Sequence, residues 1–216
     1  MMDEDCIVFV VDDDARIREA LVELLASYGI LAMAFSSGGD YMHADKPDMP
    51  ACLLLDVELP DISGLDLQGQ IAEHGHPPIV FITGYGDIPS SVRAIKNGAL
   101  DFLTKPFSDA DVMNAIRSAI LQDRADRTVR SEMSLLKQRY LDLTPRERDV
   151  LPLVVSGLLN KQAAAQLGIS EVTLQIHRRN VMQKMGATSL ADLVRIAQRL
   201  EIPLTNLRRA EESDRA

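Results

Sequence analysis

The stretch CLLLD at residues 52–56 decides the fold of this chain. An apolar run closes on an aspartate, and IVFVVDD at 7–13 repeats the arrangement, closing on Asp12 and Asp13. Short uninterrupted apolar runs that end in turn chemistry read as strands of a parallel sheet buried on both faces. Ligands of such sheets bind outside the carboxyl ends of the strands. The three carboxylates are therefore expected at one edge, where mutual repulsion calls for a divalent cation. Oxygen ligands beside phosphate chemistry point to Mg²⁺.

Outward from this pair, apolar runs alternate with amphipathic stretches, the βαβ pattern of a parallel sheet covered on both faces. Five strands are expected, at 7–11, about 31–35, 52–56, 79–83 and 101–104. Ile17, Leu21, Leu24, Leu25 and Tyr28 recur at helical spacing before Gly29, and Asn97 with Gly98 stops a later helix. The first fold is an α/β doubly wound five-stranded parallel sheet.

Ser108 to Asp111 form a capping box that opens a helix, and no Gly or Pro follows until Pro145. Leu121, Ala125, Val129, Met133, Leu136, Tyr140 and Leu143 make one apolar stripe along it, read as a helical connector able to pair with a second copy. Beyond it the segments are short and helical. Thr144, Pro145 and Glu147 open one with a capping box, and Gly157, Gly168 and Gly186 stop successive helices. Ser170 caps the segment after the turn LGIS, and Ser189 with Asp192 starts a last one. Two helices about such a turn describe a helix-turn-helix. The chain divides into a first domain at 1–122, a helical linker at 123–142, an all-α helix-turn-helix domain at 143–207 and a polar tail at 208–216.

The 216 residues carry a net charge of −9, which taken whole argues against a nucleic-acid partner. The halves differ: residues 1–122 hold 7 Lys and Arg against 20 Asp and Glu, and residues 123–216 hold 16 against 12. An acidic half joined to a basic half implies separate partners. No stretch is apolar enough to span a membrane, and the acidic start MMDEDC is not a signal region, so a cytoplasmic protein is expected. Cys6 and Cys52 sit in strand runs and read as small buried hydrophobes without chemistry.

The cluster VVDDDAR, the run CLLLDVELPDISG, the strand end IVFITG and the segment DFLTKPF together resemble the receiver domain of two-component response regulators, flavodoxin-like in fold. The resemblance implies that Asp56 accepts a phosphoryl group from a sensor histidine kinase, with Mg²⁺ held by Asp12, Asp13, Asp56 and the carbonyl of Glu58. Lys105 and Thr83 would hold the phosphoryl oxygens. Receivers place a cis bond at the position of Lys105-Pro106, steering the lysine inward. Phe102 matches the switch aromatic that follows the threonine, and Glu58 and Tyr85 flank the path of attacking water. Bulky Tyr85 is expected to prolong the phosphoryl state. Asp14 is expected only to start the first helix.

LTPRERDVL, NKQAAAQLGIS and EVTLQIHRRNVMQKMG resemble the LuxR-type helix-turn-helix. With the receiver this matches the NarL/FixJ group of response regulators, and VFITGYGDIPSSVRAIKNGALDFLTKPF favours the FixJ side. Leu174, His177, Val181 and Met185 would form the buried face of the recognition helix, leaving Gln175, Arg178, Arg179 and Met182 opposite. Gln175 suits adenine, Arg179 guanine and Ile176 a thymine methyl, while Lys161 and Thr173 suit phosphates. Leu159 stands where the family carries a small capping residue, a role Asn160 is expected to take, and Ala163 where it carries isoleucine.

The expected protein is a DNA-binding response regulator and not an enzyme. Phosphorylation would make it dimerise and regulate transcription, most simply as an activator working with RNA polymerase. Two alternatives stand beside it. A haloacid-dehalogenase-type phosphatase would use Asp12 of the Asp12-Asp13-Asp14 run, but expects Thr or Val where Ala15 stands; a constitutive DNA binder would carry a vestigial receiver.

Overall fold

A computed structural model describes residues 6–72, 75–84 and 88–203. Five strands, β1 (Ile7–Val11), β2 (Leu31–Phe35), β3 (Ala51–Asp56), β4 (Ile79–Thr83) and β5 (Asp101–Thr104), form one all-parallel sheet in the order β2-β1-β3-β4-β5. The strands lie where the apolar runs placed them. After β1 the chain steps outward to β2 and returns to the other side of β1 as β3, so the direction of winding reverses between β1 and β3. That reversal opens a crevice at the carboxyl ends of these two strands.

Residues alternate between the faces of the sheet. Val8, Val10, Cys52, Leu54, Val80 and Ile82 pack against α1 (Ala15–Ser27) and the first turns of α5 (Asp109–Leu141). Phe9, Val11, Leu53, Leu55 and Phe81 pack against α2 (Gly38–His43), α3 (Gly64–Ile71) and α4 (Ile88–Lys96). Both faces are thus covered, which is why the runs are continuously apolar. Cys6 and Cys52 are free and buried, and burial pushes the Cys52 thiol up, away from thiolate chemistry.

Asp14 caps α1, its carboxylate accepting from the Arg16 N–H at 2.9 Å. Leu21 and Leu25 are buried, but Tyr28 leaves their row because α1 stops at Ser27 and Gly29 takes φ +71°. Ser108 and Asp111 cap α5 reciprocally.

The chain forms two compact units, divided at 127/128. Within the first, the Asp123 carboxylate is buried, accepts from the Ala51 N–H at 2.9 Å and pairs with Arg127, so α5 remains part of this unit beyond its first turns. The apolar stripe of the connector separates into two parts. Leu121, Ala125 and Val129 are exposed, whereas Leu136, Tyr140 and Leu143 pack into the core of the second unit.

That second unit adds α6 (Pro145–Val155), α7 (Asn160–Leu167), α8 (Glu171–Met185) and α9 (Leu190–Arg199). The Thr144–Glu147 capping box, the Ser170 cap of α8 and the Ser189 cap of α9 are all formed. Asn160 does not cap α7 as expected. Leu159 occupies the cap position without a side-chain bond, its N–H donates to Gln162, and the Asn160 amide oxygen accepts from Arg178 instead. The tail at 208–216 lies outside the described residues.

Candidate functional site

Four strands deliver the first site. Asp12 follows β1, Asp56 ends β3, Thr83 ends β4 and Lys105 follows β5. Because all four strands run parallel, these positions converge on the edge where the crevice opens. Asp12 and Thr83 are fully buried, Asp56 is 5 % exposed and Asp13 stands open to solvent. One carboxylate oxygen from each of Asp12, Asp13 and Asp56 lies within 4.8 Å of the others.

The Lys105 ammonium sits between two of them, 2.6 Å from Asp12 Oδ2 and 2.6 Å from Asp56 Oδ2. Burial works against its charge, but the bonds to Asp12 and Asp56 outweigh that and hold Lys105 above its ordinary range. Burial pushes the Asp12 carboxyl up against the opposing pull of Lys105. One ammonium cannot neutralise three carboxylates. The lysine marks where positive charge is stabilised, and the three oxygens beside it are the donor type that Mg²⁺ prefers.

The loop after Asp56 is held from several sides. The Glu58 N–H donates to Asp56 Oδ1 at 3.1 Å while the Glu58 side chain is exposed. Gly64 N–H donates to the Val57 carbonyl, and a Cβ on Gly64 would lie 2.1 Å from the Asp56 carbonyl oxygen, so only glycine fits. Asp61 reaches α2 and accepts from the Gly38 and Gly39 N–H groups at 3.2 and 2.7 Å. Those bonds, Gly39 foremost, keep its carboxyl below the usual range, as expected for an anion at a helix N-terminus. Sequence reasoning singled out neither Asp61 nor Gly64, although a glycine closing the run from Asp56 is itself a turn signal.

The Lys105-Pro106 bond is cis and the lysine points inward, as expected. Phe102 is half-buried on β5, 6.2 Å between ring centroids from Phe81. Tyr85, expected to screen the acceptor from water, lies outside the described residues.

In the second unit, Leu174, Val181 and Met185 of α8 are buried with α6 and α9, and His177 is half-buried beside them. Lys184 on this helix is 2.7 Å from Glu147, tying α8 to the start of α6. Gln175, Ile176 and Arg179 are exposed, and Lys161 is exposed at the start of α7. Thr173 is half-buried, its hydroxyl paired with that of Ser170 at 2.8 Å.

Two residues placed on the open face are elsewhere. Arg178 is half-buried with its guanidinium on Asn160 at 3.0 Å, and Met182 packs against the core. On a helix of 3.6 residues per turn both lie on the flank of the exposed row, close enough to α7 and the core to be drawn in. Val172, which the spacing argument passed over, is exposed instead.

An acidic crevice at the switch point of a five-stranded parallel sheet, followed by a helix-turn-helix, defines a phosphorylation-controlled regulator class. Residues 8–117 match the response regulator receiver domain and residues 141–197 the luxR family of bacterial regulatory proteins, and the chain belongs to the two-component response regulators that combine them. Within that class it falls in the NarL/FixJ group. It is 48 % identical over 197 residues to nodulation protein W of Bradyrhizobium diazoefficiens, covering 91 % of this chain and 87 % of that one. Transcriptional regulatory protein FixJ of Azorhizobium caulinodans is 41 % identical, with 91 % and 93 % covered. Among solved structures, response regulator StyR superposes with a TM-score of 0.80 at 42 % identity over 90 % of this chain and 98 % of its own. Full-length FixJ from B. japonicum gives 0.52 at 36 %, over 91 % and 98 %. Among the described residues no helix is long and apolar enough to cross a membrane.

Proposed function

We propose that Asp56 is the phosphoryl acceptor through which a sensor histidine kinase controls DNA binding. The observation that carries this reading is the Lys105 ammonium held by both Asp12 and Asp56. A carboxylate is a weak nucleophile, and phosphoryl transfer through a loose transition state depends on positioning and charge neutralisation. Asp12, Asp13, Asp56 and the Glu58 carbonyl would hold Mg²⁺, which supplies the charge that lets an anionic phosphoryl group approach. The Asp56 carboxylate oxygen attacks the phosphorus as its bond to the kinase histidine nitrogen breaks and the imidazole leaves, while Lys105 steadies the phosphoryl oxygens and the Thr83 hydroxyl donates to another. Thr83 and Phe102 then shift together as the switch.

The phosphorylated chain dimerises, with exposed Leu121 and Val129 on α5 available to extend the contact, and binds duplex DNA as a dimer. Gln175, Ile176 and Arg179 read bases, and Lys161 and Thr173 meet phosphates. The protein acts in the cytoplasm on RNA polymerase as an activator, without enzymatic turnover of its own. Glu58 and Tyr85 set the phosphoryl lifetime, so Tyr85→Ala shortens it.

Labelling the full chain with acetyl phosphate and Mg²⁺, then mapping the acyl phosphate, tests the core of this reading. Label on Asp56 that disappears in Asp56→Asn is expected. Label on Asp12, or undiminished label on the variant, would overturn it.

A further inference from the structure

We propose that Val172 is a sequence-reading residue of the recognition helix, placed to contact a thymine methyl in the major groove. The inference rests on α8 being the helix that enters DNA, and it deepens that reading by adding a specificity residue on its exposed face.

At 3.6 residues per turn each step along α8 turns about 100°, which puts Gln175, Arg179, Val172, Gln183 and Ile176 at about −60°, −20°, 0°, +20° and +40° around the axis. All five are exposed. Every other residue from Thr173 to Met185 is half-buried or buried, several of them drawn into partners: Arg178 to Asn160, Lys184 to Glu147, Met182 to the core. Glu171, at about −100°, is exposed as well, so the free face spans about 140°, and Val172 lies within it between Arg179 and Gln183.

Val172 is 68 % exposed and Ile176, one turn on, 55 %. A β-branched side chain in the first turn of a helix loses rotamer freedom and, at this exposure, gains little from burial, so neither helix propensity nor packing explains it. Its position does. In helix-turn-helix proteins the N-terminal residues of the recognition helix approach the base edges, and the only apolar group displayed in the major groove is the thymine C5-methyl. Val172 lies two residues after the Ser170 cap, nearer the helix start than Gln175, Ile176 or Arg179. With Ile176 it forms an apolar pair flanked by Gln175 and Arg179. The face thus fits a half-site in which two thymines lie beside bases read by hydrogen bonds.

The test uses the full chain, with and without acetyl phosphate, to select duplexes from a randomised pool. Each thymine of the enriched half-site is then replaced by deoxyuridine, which removes the methyl alone. At least two thymines are expected at which this weakens binding roughly fourfold, the value of one buried carbon. Val172→Ala should erase the penalty at one of them and Ile176→Ala at the other, with the salt dependence of both variants unchanged because no charge is removed. A purely structural role for Val172 would weaken all duplexes alike. That result, or a Val172→Ala variant that keeps every deoxyuridine penalty, would overturn the inference while leaving DNA binding intact. A pool that yields no enriched duplex would overturn the DNA-binding reading itself, and the inference with it.

Discussion

Replacing Glu147 with Gln should destabilise the second unit by about 2 to 3 kcal/mol, and the loss should depend on pH in a defined window. Glu147 is 3 % exposed, and its carboxylate accepts from Lys184 Nζ at 2.7 Å and from the Thr144 N–H at 2.8 Å. Burial raises such a carboxyl, but the bonds from Lys184 and Thr144 prevail and bring it down to about 2, against an ordinary 4.5. At about 1.4 kcal/mol per pH unit this corresponds to about 3 kcal/mol, reduced somewhat because the Lys184 end is partly open to solvent. The folded value lies below the unfolded one, so the contribution is complete above about pH 4.5 and drains away as pH falls towards 2. Calorimetry of the full chain at pH 7 should show the transition of the helical unit lowered by roughly 10 to 15 °C in Glu147→Gln. The gap between parent and variant should close as the pH is lowered. Lys184→Met should be similarly costly, and the double variant should lose about 1 to 3 kcal/mol less than the sum. If the losses add, or if parent and variant decline in parallel with acid, the ion pair does not hold α6 to α8.

Four further outcomes follow from single contacts. Gly64→Ala forces a Cβ against the Asp56 carbonyl, so it should shift the acceptor loop and cut acetyl-phosphate labelling at least tenfold; full labelling would show the loop is more pliant than its packing implies. Lys105→Ala should retain part of the phosphoryl acceptance but lose phosphorylation-induced dimerisation, read by sedimentation, and a variant that dimerises like the parent would remove Lys105 from the switch. Leu136→Ala should cost about 2 to 4 kcal/mol in the second unit, so a fragment starting at 128 should melt higher than one starting at 143; equal melting would make the end of α5 a spacer. Arg179→Ala should cost about 1 to 3 kcal/mol and relax one base, whereas Lys161→Ala should weaken all duplexes alike and flatten the salt dependence, as binding titrations at several salt concentrations would reveal.

The sequence by itself determined the sheet, its acidic edge and the helix-turn-helix. Apolar runs ending in Asp12 and Asp56 are local patterns, and a parallel sheet can only bring their carboxyl ends to one side. Helix starts were equally legible, since Thr144, Ser170 and Ser189 each act on an N–H three residues away. Tertiary structure decided what depends on distant partners. Arg178 and Arg179 are neighbours with the same chemistry, yet Asn160, 18 residues back, draws in only the first. Asp61 reads as an ordinary loop acid until α2 offers its amide groups, 22 residues away. One periodic stripe on α5 is exposed from Leu121 to Val129 and core from Leu136 because the second unit supplies an apolar core only from Leu136 onward, and periodicity records an apolar face but not what covers it.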